Sequence, residues 1–186
     1  MTRIVAGVHG GRRITAPPGR DTRPTADRVR EALFSTLDSL TDLAGARFAD
    51  LYAGSGAVGL EAASRGAAAV LLVESDARAA RIIRANIAAL DLATTCSLQV
   101  TRVASALATP PAEPFDVVFA DPPYAVGEPE VTDLLRDLVG QAWLAPEAVV
   151  VVERSARSPE PAAVEGVTSE RGRRYGETAL WYFRRS

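Results

Sequence analysis

From residue 46 to residue 154, apolar strand patterns and helical patterns alternate. The stretches ARFADLYA (46–53), AAVLLVES (68–75), SLQVTRV (97–103), FDVVFA (115–120) and AVVVVER (148–154) read as strands. Between them, VGLEAASRG (58–66), DARAARIIRANIAAL (76–90) and EVTDLLRDLVGQAW (130–143) read as helices. In the second helix Ala79, Ile82, Ile83, Asn86 and Leu90 fall on one side. Near-continuous apolar strands alternating with helices imply a mostly parallel sheet covered on both faces. The tail, VEGVTSERGRRYGETALWYFRR (164–185), reads as two strands joined by a turn, so an antiparallel hairpin is expected to close the sheet.

The N-terminal end has a different character. RIVAGVHGGRRIT (3–15) alternates around a glycine pair, as a short hairpin does, and APPGRDTRP (16–24) is a proline-rich linker. A helix then opens near Thr25, with Thr25 or Asp27 as its cap and Val29, Leu33 and Leu37 at helical spacing. The chain is therefore expected to divide into a basic extension over residues 1–24 and an α/β domain over 25–186. Residues 1–30 hold seven arginines against Asp21 and Asp27, a balance of +5, so the rest of the −2 chain sums to −7. The basic end is where a polyanion would touch.

Several classes are disfavoured. No apolar run approaches the ~18 residues of a membrane span, and the single cysteine, Cys96, allows no internal disulfide. No cluster of metal ligands is visible, and the one histidine, His9, lies in the basic hairpin. A cytoplasmic, monomeric protein without a metal is expected.

The loop 54-GSGAVG-59 follows a strand and opens a helix, and Glu74 ends the next strand. That is the GxGxxG fingerprint with its ribose-binding acid. Glycines permit close backbone approach and the carboxylate accepts hydrogen bonds from ribose hydroxyls. Neither needs a pyrophosphate, so a nicotinamide dinucleotide and a nucleoside such as S-adenosylmethionine both fit. Asp50, just before the loop in DLYAGSG, and DPPY at the end of the fourth strand favour the nucleoside and a methyltransferase.

The DPPY stretch (121–124) is suited to an exocyclic amine, whose lone pair is delocalised into its ring. Acceptors on the amino hydrogens localise that lone pair. The Asp121 side chain and the Pro122 carbonyl are two such acceptors, and Pro122 with Pro123 stiffens the backbone that carries them. Tyr124 offers a face for a base taken out of its stack.

With 3-RIVAGVHGGRRI-14, 23-RPTADRVREALFS-35, 50-DLYAGSGAVGLEAASRGA-67, 121-DPPY-124 and the closing YGETALWYF, the chain resembles the bacterial 16S rRNA guanine-N2 methyltransferase family (RsmD type). The resemblance implies a class I, Rossmann-like methyltransferase fold, S-adenosylmethionine as cofactor, and methyl transfer to a guanine of 16S rRNA or the small ribosomal subunit. It implies that Asp50, Tyr52, Ala53, Gly54, Ser55 and Gly56 line the cofactor and that Glu74, with Ser75, holds its ribose. Asp121, Pro122, Pro123 and Tyr124 would hold the guanine. Arg3, Arg12, Arg13 and Arg23 would contact RNA phosphates, and Arg23, Thr25, Asp27 and Arg28 would help close the site. One departure is visible: many relatives carry an acid after the third strand, whereas this chain has VASAL (103–107), leaving Ser105 or a backbone group, as at Ala104, to meet the adenine. DPPY is also shared by adenine-N6 and glutamine-N5 enzymes, the literal GxGxxG suits an oxidoreductase, and a non-catalytic RNA-binding module could keep the fold. The basic hairpin joined to RPTADRVREALF is the specific part.

Overall fold

The computed structural model describes residues 2–18 and 24–186, with the side chains of Pro24 and Thr25 outside that description. Two sheets form. The short strands β1 (Thr2–Arg3) and β2 (Arg13–Ile14) pair antiparallel, and seven longer strands make the main sheet in the order β5-β4-β3-β6-β7-β9-β8. These are β3 (Arg47–Leu51), β4 (Ala69–Glu74), β5 (Cys96–Val100), β6 (Phe115–Ala120), β7 (Leu144–Ser155), β8 (Val167–Tyr175) and β9 (Thr178–Arg185). Strands β3 to β7 are parallel, and β9 inserts antiparallel between β7 and β8. The expected hairpin is thus present, with the last strand, not the penultimate one, pairing with β7.

Helices cover both faces, as the two-sided apolar strands require. One face packs side chains of α1 (Pro24–Leu40), α2 (Ala57–Ser64) and α3 (Ala77–Ala89), among them Leu33, Phe34, Leu60 and Ile83, against Phe48, Leu72, Val149 and Tyr182. Ile4 and Ile14 of the small sheet join this same core. The opposite face packs Val103 and Leu107 of α4 (Val103–Leu107) and Val131, Leu134 and Leu135 of α5 (Glu128–Gly140) against Ala49, Val118 and Val150.

Two expected boundaries move. The third parallel strand ends at Val100 instead of Val103: Arg102 is extended and caps a short helix, so Val103 begins α4 and buries with Leu107 one turn later. The helix expected to reach Trp143 ends at Gly140, and residues 144–147 join β7.

The chain runs β3, β4, β5 toward one edge and then returns to β6 on the other side of β3. That reversal is the topological switch point, where the loops leaving adjacent strands diverge and open a crevice at the strands' carboxyl ends.

Candidate active site

Four adjacent strands each deliver one acid to this crevice: Glu74 from β4, Asp50 from β3, Asp121 just after β6 and Glu153 from β7. Register explains the grouping. Leu51 pairs with Ala120 and Ala120 with Val152, so Asp121 and Glu153 are neighbours across one parallel ladder.

Burial dominates the electrostatics of Asp50 and Glu153. Asp50 is 1% exposed, and desolvation pushes its carboxyl well above the usual range, opposed by the Gly59 N–H that it accepts at 2.9 Å and assisted by the charges of Asp121 and Glu74. Burial likewise pushes the Glu153 carboxyl up to about 8, with Asp121 and then Asp50 adding to the shift. Among the described residues, Asp50, Glu74 and Glu153 form no ion pair with an arginine.

The glycine loop connects β3 to α2. Tyr52 (φ 61°) turns the chain out of the strand, and its ring packs on the α4–α5 face. Ala53 N–H bonds back to Val73 O. Gly56 sits at φ 81° immediately before α2, a left-handed position that a side chain would strain. Gly59 brings α2 onto the sheet: a Cβ there would lie 2.9 Å from Leu72 and 3.2 Å from the Asp50 Cβ. Glu74 stitches the loop to the next strand end, accepting from Gly54 N–H at 2.7 Å and from Asp76 N–H at 2.9 Å. Each of its oxygens keeps a second lone pair for a hydroxyl. Ser75 is exposed beside it, and Ala104 and Ser105 are exposed on α4, a helical setting in place of a strand end.

DPPY occupies the turn after β6. Pro122 is buried, whereas Asp121 and Pro123 are exposed and Tyr124 is 88% exposed, an unusual setting for a large ring. Asp121 N–H reaches Leu51 O at 3.4 Å, and Val126 N–H closes on Pro123 O at 2.9 Å. The buried Arg154 of β7 then pins the rest of the loop, donating to Val126 O at 2.8 Å and to Glu128 at 3.1 Å.

The basic extension docks on the two helices beside the glycine loop. Glu61 of α2, fully buried, accepts Val5 N–H at 2.9 Å and Ala6 N–H at 3.3 Å and pairs with Arg65. Gly7 approaches α2 so closely that a Cβ would fall 1.9 Å from Ser64 O. Asn86 of α3 accepts Thr15 N–H at 2.9 Å and donates to Thr15 O at 2.9 Å and Ser55 O at 3.0 Å. It is the satisfied core amide its place on an apolar helix face suggests, and it also joins the extension to the glycine loop.

The expected RNA-contacting residues divide. Arg3 and Arg13 stand opposite each other across the β1–β2 ladder, both exposed. Arg12 donates to Ala89 O at 2.7 Å, at the carboxyl end of α3. Arg28 is exposed on α1, whereas Asp27 accepts from Thr2 Oγ1 at 2.6 Å and pairs with Arg30, which ties the helix to β1. Arg23 and the Thr25 side chain lie outside the described residues.

Glu153, Arg154 and Glu61 stand out only in three dimensions, though each leaves a trace in the sequence. Glu153 and Arg154 are the first charges after four valines, and Glu61 interrupts an otherwise apolar helix.

The family described as Conserved hypothetical protein 95 matches residues 2–184. The chain belongs to this family. It is 35% identical to ribosomal RNA small subunit methyltransferase D of Escherichia coli over 98% of this chain and 89% of that protein. The protein of the same name from Haemophilus influenzae is 35% identical over 84% of this chain and 80% of its own. Among solved structures, Escherichia coli yhhF superposes with a TM-score of 0.86 at 32% identity, covering 100% of this chain and 98% of that one.

Proposed function

We propose that this chain is an S-adenosylmethionine-dependent methyltransferase that modifies the exocyclic N2 amino group of a guanine in 16S rRNA of the small ribosomal subunit. The observation that carries the reading is the DPPY turn at the switch point, beside the glycine loop, in a chain 35% identical to a small-subunit rRNA methyltransferase.

The residues present fit the cofactor. The glycine backbone allows close approach, Glu74 retains acceptor capacity for ribose hydroxyls, and Tyr52, Ala53, Ser55 and Asp50 complete the wall. A crevice that gathers four acids suits a cationic group, whose charge would favour the ionised forms of the raised Asp50 and Glu153 carboxyls. When bound, the cofactor supplies an electrophilic methyl carbon on a sulfonium.

The chain's own part is orientation and proton handling. Asp121 and the Pro122 carbonyl accept the two amino hydrogens, which localises the nitrogen lone pair and aims it at the methyl carbon. The proton that the amino group gives up on methylation would pass to the Asp121 carboxylate and on to water. Tyr124 stacks the flipped guanine. Residues 1–24 act as an RNA-binding extension, with Arg3 and Arg13 on phosphates. Their direct opposition is a repulsive pair in the free protein, which a bound polyanion relieves.

The test is methyl transfer from labelled S-adenosylmethionine to unmethylated small ribosomal subunits, followed by nucleoside mass spectrometry. N2-methylguanosine is expected from the wild type, and Asp121→Ala should reduce transfer at least ~100-fold with S-adenosylhomocysteine binding retained. N6-methyladenosine as the product, or label recovered in ribosomal protein instead of RNA, would overturn the acceptor assignment.

A further inference from the structure

A groove of about 330 Å³ opens beside the DPPY turn, on the side away from the basic extension. Its lining is Tyr124, Ser155, Ala156, Arg157, Gly176 and Glu177. It lies between the end of β7 and the turn joining β8 to β9, at the same end of the strands as the active-site acids. The walls are fixed. Ala156 N–H donates to Glu177 O at 2.8 Å, Arg157 N–H donates to Ser155 Oγ at 3.2 Å, and β7 and β9 stay in register up to Ser155 and Thr178. The mouth is open, since a Cβ on Gly176 would meet nothing within 4 Å.

Its chemistry is that of a ribonucleotide's counterpart. Tyr124, 88% exposed, presents an aromatic face. Arg157 is exposed and, among the described residues, forms no ion pair, so its guanidinium is free for a phosphate. Glu177 supplies an acceptor, a poor neighbour for a bare polyphosphate but a good one for a ribose 2′-hydroxyl. At the lower end of the ~300–1,000 Å³ of small-ligand sites, the volume suits one nucleotide. Arg173 and Arg174, exposed on the outermost strand just before the turn, continue the basic surface beyond it.

Mechanics supply the reason for such a site. Extruding a base costs unstacking energy, and contacts to the flanking nucleotides help to offset it and to set the sequence context. The extension lies over α2 and α3, toward the β4–β5 end of the sheet, so it grips one side only.

We propose that this groove is a second RNA subsite, which takes the nucleotide adjoining the target guanine: base on the face of Tyr124 that the guanine leaves free, phosphate on Arg157, 2′-hydroxyl toward Glu177. The assignment rests on the rRNA reading above.

The experiment is binding of unmethylated small ribosomal subunits to the full chain across a salt series, with calorimetry of S-adenosylhomocysteine alongside. Arg157→Glu should weaken subunit binding about 10-fold and make the log–log salt slope shallower by ~1, while S-adenosylhomocysteine affinity stays unchanged. Arg136→Glu, a charge reversal on α5, should stay within twofold of wild type. The subsite is overturned if Arg157→Glu binds subunits within twofold while remaining folded and cofactor-competent. It is also overturned if Arg136→Glu loses as much. Wild-type protein that neither binds nor methylates subunits would instead remove the rRNA reading, and the subsite with it.

Discussion

At the residue scale, Glu153 carries the strongest prediction. Its carboxyl is raised to about 8, first by burial and then by the charges of Asp121 and Asp50. The proton therefore leaves the unfolded chain near its ordinary value of 4.5 but stays on the folded one until about pH 8. Across that window the native state binds more protons than the unfolded state, so stability is full below the window and is lost as pH rises through it. Glu153→Gln mimics the neutral form. The variant should melt close to wild type at pH 5 and ~4 °C above it at pH 8, read by calorimetry. A constant difference at both values would mean that the shift is not there. The carboxylates also show why part of the site was legible beforehand. Asp121, Pro122 and Tyr124 announce themselves because that combination is odd after an apolar strand. Glu153 does not, because an acid at a strand end is ordinary until register sets it beside Asp121.

At the element scale, the extension is structurally part of the enzyme core. Ile4 and Ile14 are buried with α1 and α2, and Glu61 is satisfied partly by backbone from residues 5 and 6. Removing the extension would strand a buried carboxylate with only Arg65, which destabilises the domain as well as stripping the proposed RNA contacts. A subtler probe is Asn86→Ala. It removes three hydrogen bonds and leaves Thr15 and Ser55 groups unpartnered, at ~1–3 kcal/mol for each group that water cannot reach. Because one of those bonds holds the glycine loop, S-adenosylhomocysteine affinity should fall several-fold although Asn86 lies outside the expected cofactor wall. Titration calorimetry reads this, and unchanged affinity would separate the extension from the loop. The same element shows the limits of pattern reading. Strand and helix periods gave the main sheet, the helices and the closing hairpin. The reach of an edge strand at Val100 and the docking of a two-residue ladder depend on tertiary contacts that no local period encodes.

At the scale of the whole molecule, charge is segregated: +5 in residues 1–30 against −7 in the rest. Four of the acids collect in the crevice, and exposed arginines lie on both of its flanks. Arg3 and Arg13 are clamped over α2 and α3, whereas Arg157 follows β7. Three strand spacings of ~4.8 Å separate β4 from β7 in the main sheet, so the two proposed grips are expected to meet different phosphates. Their contributions to RNA binding should therefore add in free energy. Arg13→Ala and Arg157→Ala should each lower affinity for unmethylated subunits by ~3–10-fold, and the double variant by the product of the two. Its salt slope should be shallower by ~2. Arg13→Ala should melt no lower than wild type, since it removes the repulsion with Arg3. A double variant no weaker than the worse single would mean that both arginines act through one contact. The strand would then not be held on either side of the flipped base.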